Sequence, residues 1–319
     1  LRTDDFLGST IFVVDAETGD FLWQPDLSDS DFTKMKYSIP SDIRIIDIKS
    51  DGLADQLYVG DLGGQVWRLD INNSSASTDS IDSRIRGGVV ADFGGAAGEA
   101  NRRRFFYPPD LAVVSVAGTQ KLSVSIGSGW RAHPLDVTVQ DRFYNFRMSA
   151  VYGPPLDANG AIEYSSITES TDGMVDVTTT LNSDPTTNIG WYFDLQSSGE
   201  KVLASSLTYN NQVVFTSYIP ASASNSCSAA VGSGRVYAVD VLNGNPVSDL
   251  DDGGSDPDET LTLSDRYDDL NHNGIPPGPT ILFPETGDPV LLLGPEVRDE
   301  VDIANPKKRT FWVEHVDSD

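Results

Sequence analysis

Residues 42–70, DIRIIDIKSDGLADQLYVGDLGGQVWRLD, hold the reading that decides the fold. Ile43, Ile45 and Ile46 form a β-branched apolar run. Leu57, Tyr58 and Val59 begin a second run, which turns at Gly63-Gly64 and resumes at Val66, Trp67 and Leu69. Such runs, bounded by Asp and Gly, predict strands joined by tight turns. The loop between the first two strands carries Asp47, Asp51, Gly52 and Asp55, close to the D-x-[DN]-x-[DN]-G opening of a calcium loop. In that pattern alternate side chains converge on one hard cation while Gly permits the sharp turn. The expected donors are Asp47, Asp51, the Leu53 carbonyl and Asp55, with water completing the shell. Lys49 stands where a second oxygen donor belongs, and the flanking strands replace the helices of an EF-hand. The spacing also fits an Asp/Gly turn whose carboxylates cap their own backbone, and both alternatives stay open here.

Working outward, the same hairpin form recurs. Residues 8–24 (GSTIFVVDAETGDFLWQ), 57–70 (LYVGDLGGQVWRLD), 235–247 (RVYAVDVLNGNPV) and, more loosely, 281–293 (ILFPETGDPVLLL) each give a strand, a turn with Gly and a return strand; in the first three an Asp ends the opening strand. Repeated hairpins of this kind predict an all-β protein built as β-propeller blades, each small sheet packing on the next. Further strands are expected over 105–116 and 121–127, separated by a Gly118 turn. Residues 190–220 should supply three more, turning at Ser198-Gly199 and Asn210-Asn211, with an isolated hairpin at 173–181. Polar insertions are expected near 71–101, 151–190 and 248–268, and the first of these has too little apolar content to suggest a core role.

The whole chain, residues 1–319, is long enough for one large all-β domain or part of one. Its 48 acidic against 22 basic side chains give a formal charge of −26, which disfavours nucleic acid and anionic lipid as partners and favours divalent cations. No apolar run is long enough to span a membrane, and Leu1-Arg2-Thr3-Asp4-Asp5 is not a signal peptide. The single cysteine, Cys227, excludes a disulfide within these residues; it is a thiol or the partner of a cysteine elsewhere.

Other candidates are weaker. DLNHNGI places Asp269, Asn271, Asn273 and the Ile275 carbonyl on calcium spacing, with no acid to complete the loop. Asp249, Asp251, Asp252, Asp256 and Asp258 crowd a segment that reads as a solvated acidic loop. Arg102, Arg103 and Arg104 are expected to pair with nearby acids. His133, beside Asp136 and Asp141, invites a general-base role, but no G-x-S-x-G or H-E-x-x-H accompanies it and the only other histidines are His272 and His315.

The ordered set SIPSDIRIIDIKSDGLADQLYVGDLGGQVWRLDI, RRFFYPPDLAVV, SIGSGWRAHPLDVTVQDRFYNFRM, GWYFDLQSSGEKVLASSLTYNNQVVFTSYIP and SGRVYAVDVLNGNPV resembles the C-terminal domain of the PilY/PilC-type proteins of type IV pili. The resemblance implies a quinoprotein-like β-propeller, non-enzymatic, at the pilus tip or outer surface of a Gram-negative bacterium. It implies an adhesin that supports pilus extension against retraction and twitching motility. Implied partners are minor pilins, other pilus-tip components, and a host or abiotic surface. The family's calcium loop falls on Asp47, Asp51, Leu53 and Asp55, with Lys49 where the family usually has Asp or Asn. The chain enters the family pattern late, so the resemblance implies the later blades, with the remaining blades on a preceding or separate chain. Two alternatives remain: a quinoprotein-like oxidoreductase with a redox quinone beside Ca²⁺, and a purely structural calcium-stabilised extracellular propeller.

Overall fold

The computed structural model describes residues 7–74, 81–95, 102–181, 187–221, 231–250, 260–285 and 289–298. Cys227, His315, Asp251, Asp252, Asp256 and Asp258 lie outside them, as does part of the turn of the 281–293 hairpin. Among the described residues the strands form five sheets, met one after another along the chain. The first is the hairpin β1 (Val13–Val14) and β2 (Phe21–Trp23). The second is a four-stranded meander of β3 (Arg44–Ile46), β4 (Gln56–Gly60), β5 (Gln65–Ile71) and β6 (Ile85–Asp92), with a short helix α1 (Ile81–Arg84) leading into β6.

The third sheet contains β7 (Asp110–Val116), β8 (Thr119–Gly127), β9 (Arg142–Met148), β10 (Met174–Asp176) and β11 (Gly190–Asp194), ordered β10-β11-β9-β8-β7. The fourth is again a meander: β12 (Leu207–Tyr209), β13 (Gln212–Ile219), β14 (Ser233–Asp240) and β15 (Tyr267–Asn273). The fifth joins β16 (Thr280–Leu282), β17 (Val290–Leu293) and β18 (Glu296–Arg298).

Side chains on a strand alternate between its faces, and here both faces are apolar, so each inner sheet packs on two neighbours. In the second sheet Leu57, Val59, Trp67 and Leu69 meet Ile11 and Trp23 of the first hairpin. Tyr58, Val66 and Val90 turn the other way, to Leu122, Val124 and Tyr144 of the third. The third sheet then gives Phe143, Trp191 and Phe193 to Val213, Phe215 and Tyr237 of the fourth, which gives Val214, Val236 and Ala238 to Leu291 and Leu293 of the fifth. Aromatic stacks cross these boundaries: Phe93 on Tyr144 at 4.2 Å and Phe143 on Phe215 at 3.8 Å between ring centroids. Four-stranded antiparallel sheets stacked face to face in chain order are propeller blades.

The recurring Asp has one physical job. It ends the strand of each hairpin and accepts the N–H groups that the turn would otherwise leave bare. Asp15 accepts from Glu17 and Thr18, Asp61 from Gly63 and Gln65, and Asp240 from Leu242 and Asn243. Each turn closes at a left-handed glycine, Gly19, Gly64 or Gly244 (φ 76°, 78° and 71°). Asn210 and Asn211, both at positive φ, make the tight β12–β13 turn expected of that pair.

Three expectations need correction. Residues 71–101 are not only a polar excursion, because β6 completes the second sheet and buries Ile85, Val89, Val90, Ala91 and, just beyond it, Phe93. Two glycines and three charged residues within 84–92 dilute the apolar signal there. No hairpin forms at 173–181. Instead β10 pairs in parallel with β11, guided by left-handed Gly173 and by Ile189 donating to the Gly173 carbonyl. The rest of 151–190 is bound to the sheets: the Glu169 carboxylate accepts from Arg103, Arg142 and the Tyr144 hydroxyl. The 235–247 hairpin returns through a single bridge, Val239 to Pro246, with no full strand.

Candidate functional site

The β3–β4 connection carries the acidic loop. The Asp55 N–H donates to the Ile46 carbonyl (3.0 Å), closing the loop where the strands begin to pair. Ser50 and Gly52 take left-handed backbone (φ 57° and 84°), and these two bends fold Asp47, Asp51 and Asp55 onto one side. One carboxylate oxygen from each lies within 4.8 Å of the others. Two oxygens bound to one calcium at about 2.3–2.6 Å stand no more than about 5 Å apart. The three carboxylates therefore fit one hard cation without moving the backbone. Their other bonds are local: Asp47 accepts the N–H groups of Asp51 and Gly52, and Asp51 accepts that of Leu53. Those N–H bonds also suit a self-capped Asp/Gly turn. Leu53 sits on the exposed outer bend.

Lys49 fills the departing position in a way the spacing does not reveal. Its ammonium donates to Asp55 Oδ1 at 2.6 Å, and its backbone N–H to Oδ2 at 3.1 Å. Asp55 is buried (3% exposed), and burial alone would raise its pKa, but the Lys49 contacts outweigh that and hold the carboxyl below its ordinary range. The same hydrogen bond raises the Lys49 ammonium above its usual value. The charge that Asp55 offers a cation is thus already engaged by an internal ammonium.

The loop borders a cavity of about 400 Å³ between β4, β5, the start of β6 and residues 152–162. That last segment is held by Arg68, fully buried, which donates to the carbonyls of Ala150 and Gly153 (both 2.6 Å) and to both oxygens of Asp70. Tyr164 completes Asp70 with a 2.7 Å hydrogen bond. Arg68 and Asp70 are two apart on a strand and so share a face, a pattern present in the sequence. Their partners lie more than 80 residues away and leave no trace in it.

The second calcium spacing does not make a loop. Asp269, Asn271 and Asn273 lie in β15, where residues two apart are about 6.6–6.8 Å apart, so the side chains form a row and not a shell. Asp269 is bound to Arg235 at 2.7 Å, and Asn271 donates to Glu296. Ile275 follows left-handed Gly274 beyond the strand. His133 packs at a tilt of 49° against Trp130 (4.1 Å between centroids) at the surface, while Asp136 accepts from Thr138 and Asp141 from Ser128. Of the neighbours that suggested a base, Asp136 therefore caps its own turn, and Asp141 is buried against a serine thirteen residues away. Arg103 pairs with Glu169 at 3.1 Å as expected, whereas Arg104 lies 4.0 Å over the Trp130 ring.

No family model matches the chain. The type IV pilus biogenesis factor PilY1 homolog of Xylella fastidiosa (strain Temecula1) is 24% identical over 257 residues, which cover 74% of this chain and 17% of that protein. The crystal structure of the Pseudomonas aeruginosa PilY1 C-terminal domain superposes with a TM-score of 0.61 at 19% identity, covering 91% of this chain and 66% of that one. The chain therefore spans about a sixth of its curated relative and about two thirds of the crystallised domain. Its fold is that of the PilY1 C-terminal domain, an all-β propeller, and the resemblance to PilY/PilC-type proteins holds.

Proposed function

We propose that this chain is a calcium-binding, non-enzymatic propeller segment of a type IV pilus tip-associated adhesin at the bacterial cell surface. In this reading it supports pilus extension against retraction, surface attachment and twitching motility, in contact with minor pilins and the remaining blades. One observation carries the proposal: the convergence of Asp47, Asp51 and Asp55 in a loop of a fold shared with the PilY1 C-terminal domain.

Bound calcium would supply the two positive charges that three carboxylates in one place call for. Asp47 leaves β3 and Asp55 enters β4, so holding both on one centre pins the two strands in register. The Leu53 carbonyl and water complete the donor set. Lys49 must release Asp55 Oδ1, because an ammonium 2.6 Å from that oxygen occupies the space a cation needs. The loop therefore has two arrangements, one closed by Lys49 and one closed by the metal. A bistable connection of this kind can pass the calcium level to the surface around it.

Calorimetric titration of the wild-type chain and of Asp55→Asn with Ca²⁺ tests the assignment. Binding in the wild type that is lost in the variant is expected; equal affinity in both refutes it. Twitching and retraction in a strain carrying Asp55→Asn then separate a regulatory from a purely structural calcium role.

A further inference from the structure

The cavity beside the loop joins features that the proposed function does not use. Lys49, Arg84 and Arg86 reach its walls, in a chain where acids outnumber bases by more than two to one. The carboxylates within it are engaged: Asp70 by Arg68 and Tyr164, and Asp55 by Lys49. Its rim is apolar at Tyr152 and Ile162, and Asn72 offers an amide. We propose that this cavity is a binding site for a carboxylate-bearing sugar, a uronate unit, with Arg84 and Arg86 receiving the carboxylate and Tyr152 covering the ring.

The volume of about 400 Å³ lies within the range of small-molecule sites, about 300–1,000 Å³, and exceeds what a bare oxyanion would fill. A guanidinium offers a planar fork that matches a carboxylate with two parallel hydrogen bonds. The C–H face of a pyranose suits the Tyr152 ring, and its hydroxyls suit the Asn72 amide. An acidic peptide fits less well. Peptides are commonly bound by adding a strand to a free sheet edge; β4 and β5 are paired on both sides, and the outer edge of β6 already carries Ile167, bridged to Ala91. The net charge of −26 does not forbid an anion here, because charges beyond about 8 Å are screened at physiological ionic strength.

Lys49 links this site to the acidic loop, and that link rests on the calcium assignment above; the sugar site itself does not. When a cation takes Asp55 Oδ1, the Lys49 ammonium leaves it from a position already on the cavity wall. It then adds a positive charge to the anion site. Calcium should therefore tighten uronate binding, and by reciprocity uronate should tighten calcium binding by the same factor.

The test is calorimetry of the intact chain with glucuronate, glucose and a glutamate-containing tripeptide, in EGTA and in calcium. The Arg84→Gln/Arg86→Gln double variant serves as control, its fold checked by circular dichroism. Glucuronate binding in EGTA, weakened about tenfold or more in the double variant, with glucose inert, supports the site. Failure of the folded wild type to bind glucuronate in either condition overturns it. Equal binding of glucose, unchanged affinity in the double variant, or binding of the tripeptide alone does the same. Glucuronate binding in EGTA without any calcium binding leaves the sugar site standing and removes the calcium assignment and its link.

Discussion

Lys49 reaches six residues ahead to place its ammonium 2.6 Å from Asp55 Oδ1, on the carboxylate that closes the acidic loop. The lysine is partly exposed and the aspartate is not, with side-chain exposures of 43% and 2%. A salt bridge open to water on one side contributes at most about 1 kcal/mol to stability. Its larger consequence is competition, since the ammonium and a metal ion cannot share that oxygen.

Replacing Lys49 by Asn should therefore raise calcium affinity about tenfold, equivalent to about 1.4 kcal/mol. In EGTA the same variant should lose stability by about 1 kcal/mol, because Asp55 then faces Asp47 and Asp51 with no counter-ion. Calcium should restore that loss. Titration calorimetry and urea unfolding, each with and without calcium, read both effects. Weaker calcium binding in Lys49→Asn would mean that the lysine supports the loop and does not oppose the cation.

Asp61 and Asp15 hold equivalent places in two hairpins but differ in burial. Asp61 is fully buried and accepts from Gly63, Gln65 and the Trp67 indole, the last at 3.0 Å. Asp61→Ala strands those donors in the core and should cost about 3 kcal/mol in urea unfolding. Asp15→Ala leaves its turn donors to water, and the unfolding curve should scarcely move. Similar losses at both sites would show that the turn bonds matter regardless of burial.

The blade pattern was legible because strand alternation, the capping Asp and the turn glycine all lie within a dozen residues. VVDAETG, VGDLGG and AVDVLNG carry the whole local instruction. The acidic loop was legible for the same reason, since Asp47 and Asp55 are close in sequence. What could not be read depends on distant partners. β6 is recognisable only once β5 is beside it, and β10 pairs with a strand that begins 14 residues after it ends. The second calcium spacing misled because residues at alternate positions converge in a loop but align in a strand, and spacing alone does not say which backbone they occupy. Arg68, Gln56 and Tyr152 gained meaning only when residues 150–164 were seen folded over the second sheet.

Asp141 gives stability a pH dependence. It is buried, its Oδ2 lacks a hydrogen-bond partner, and burial pushes its pKa up to about 6 against the ordinary 3.8. The Ser128 hydroxyl bound to Oδ1, together with Lys201, Arg103 and Arg104 nearby, opposes that rise without cancelling it. A raised carboxyl pKa means that the folded state holds a proton the unfolded chain has already released. Its contribution is fully present below about pH 4 and is lost as pH climbs through about 6, a change on the order of 3 kcal/mol. Asp141→Asn keeps an acceptor for Ser128 and cannot ionise. Its advantage over the wild type in urea unfolding should grow from about pH 4 to about pH 7 and then level off. Parallel curves for the two proteins across that range would exclude the buried proton.

Gly64 and Gly118 share the same backbone angle, φ 78°, in hairpin turns, yet should respond very differently to a methyl group. At Gly118 a Cβ meets nothing within 4 Å, so Gly118→Ala carries only the left-handed strain, about 1 kcal/mol. At Gly64 a Cβ would stand 2.5 Å from the Gly94 Cα and 2.9 Å from the Arg103 carbonyl oxygen. Both are backbone atoms, and the Gly64 carbonyl itself accepts the Phe93 N–H, so the chain cannot yield without opening that bond. Phe93 in turn stacks on Tyr144 of the third sheet, which carries the disturbance into the boundary between the two blades. Gly64→Ala should therefore cost about 3 kcal/mol or more and change the near-ultraviolet dichroism of the aromatic stack. If the two alanine variants unfold at the same urea concentration, close approach at Gly64 has no energetic weight and φ alone accounts for the glycine.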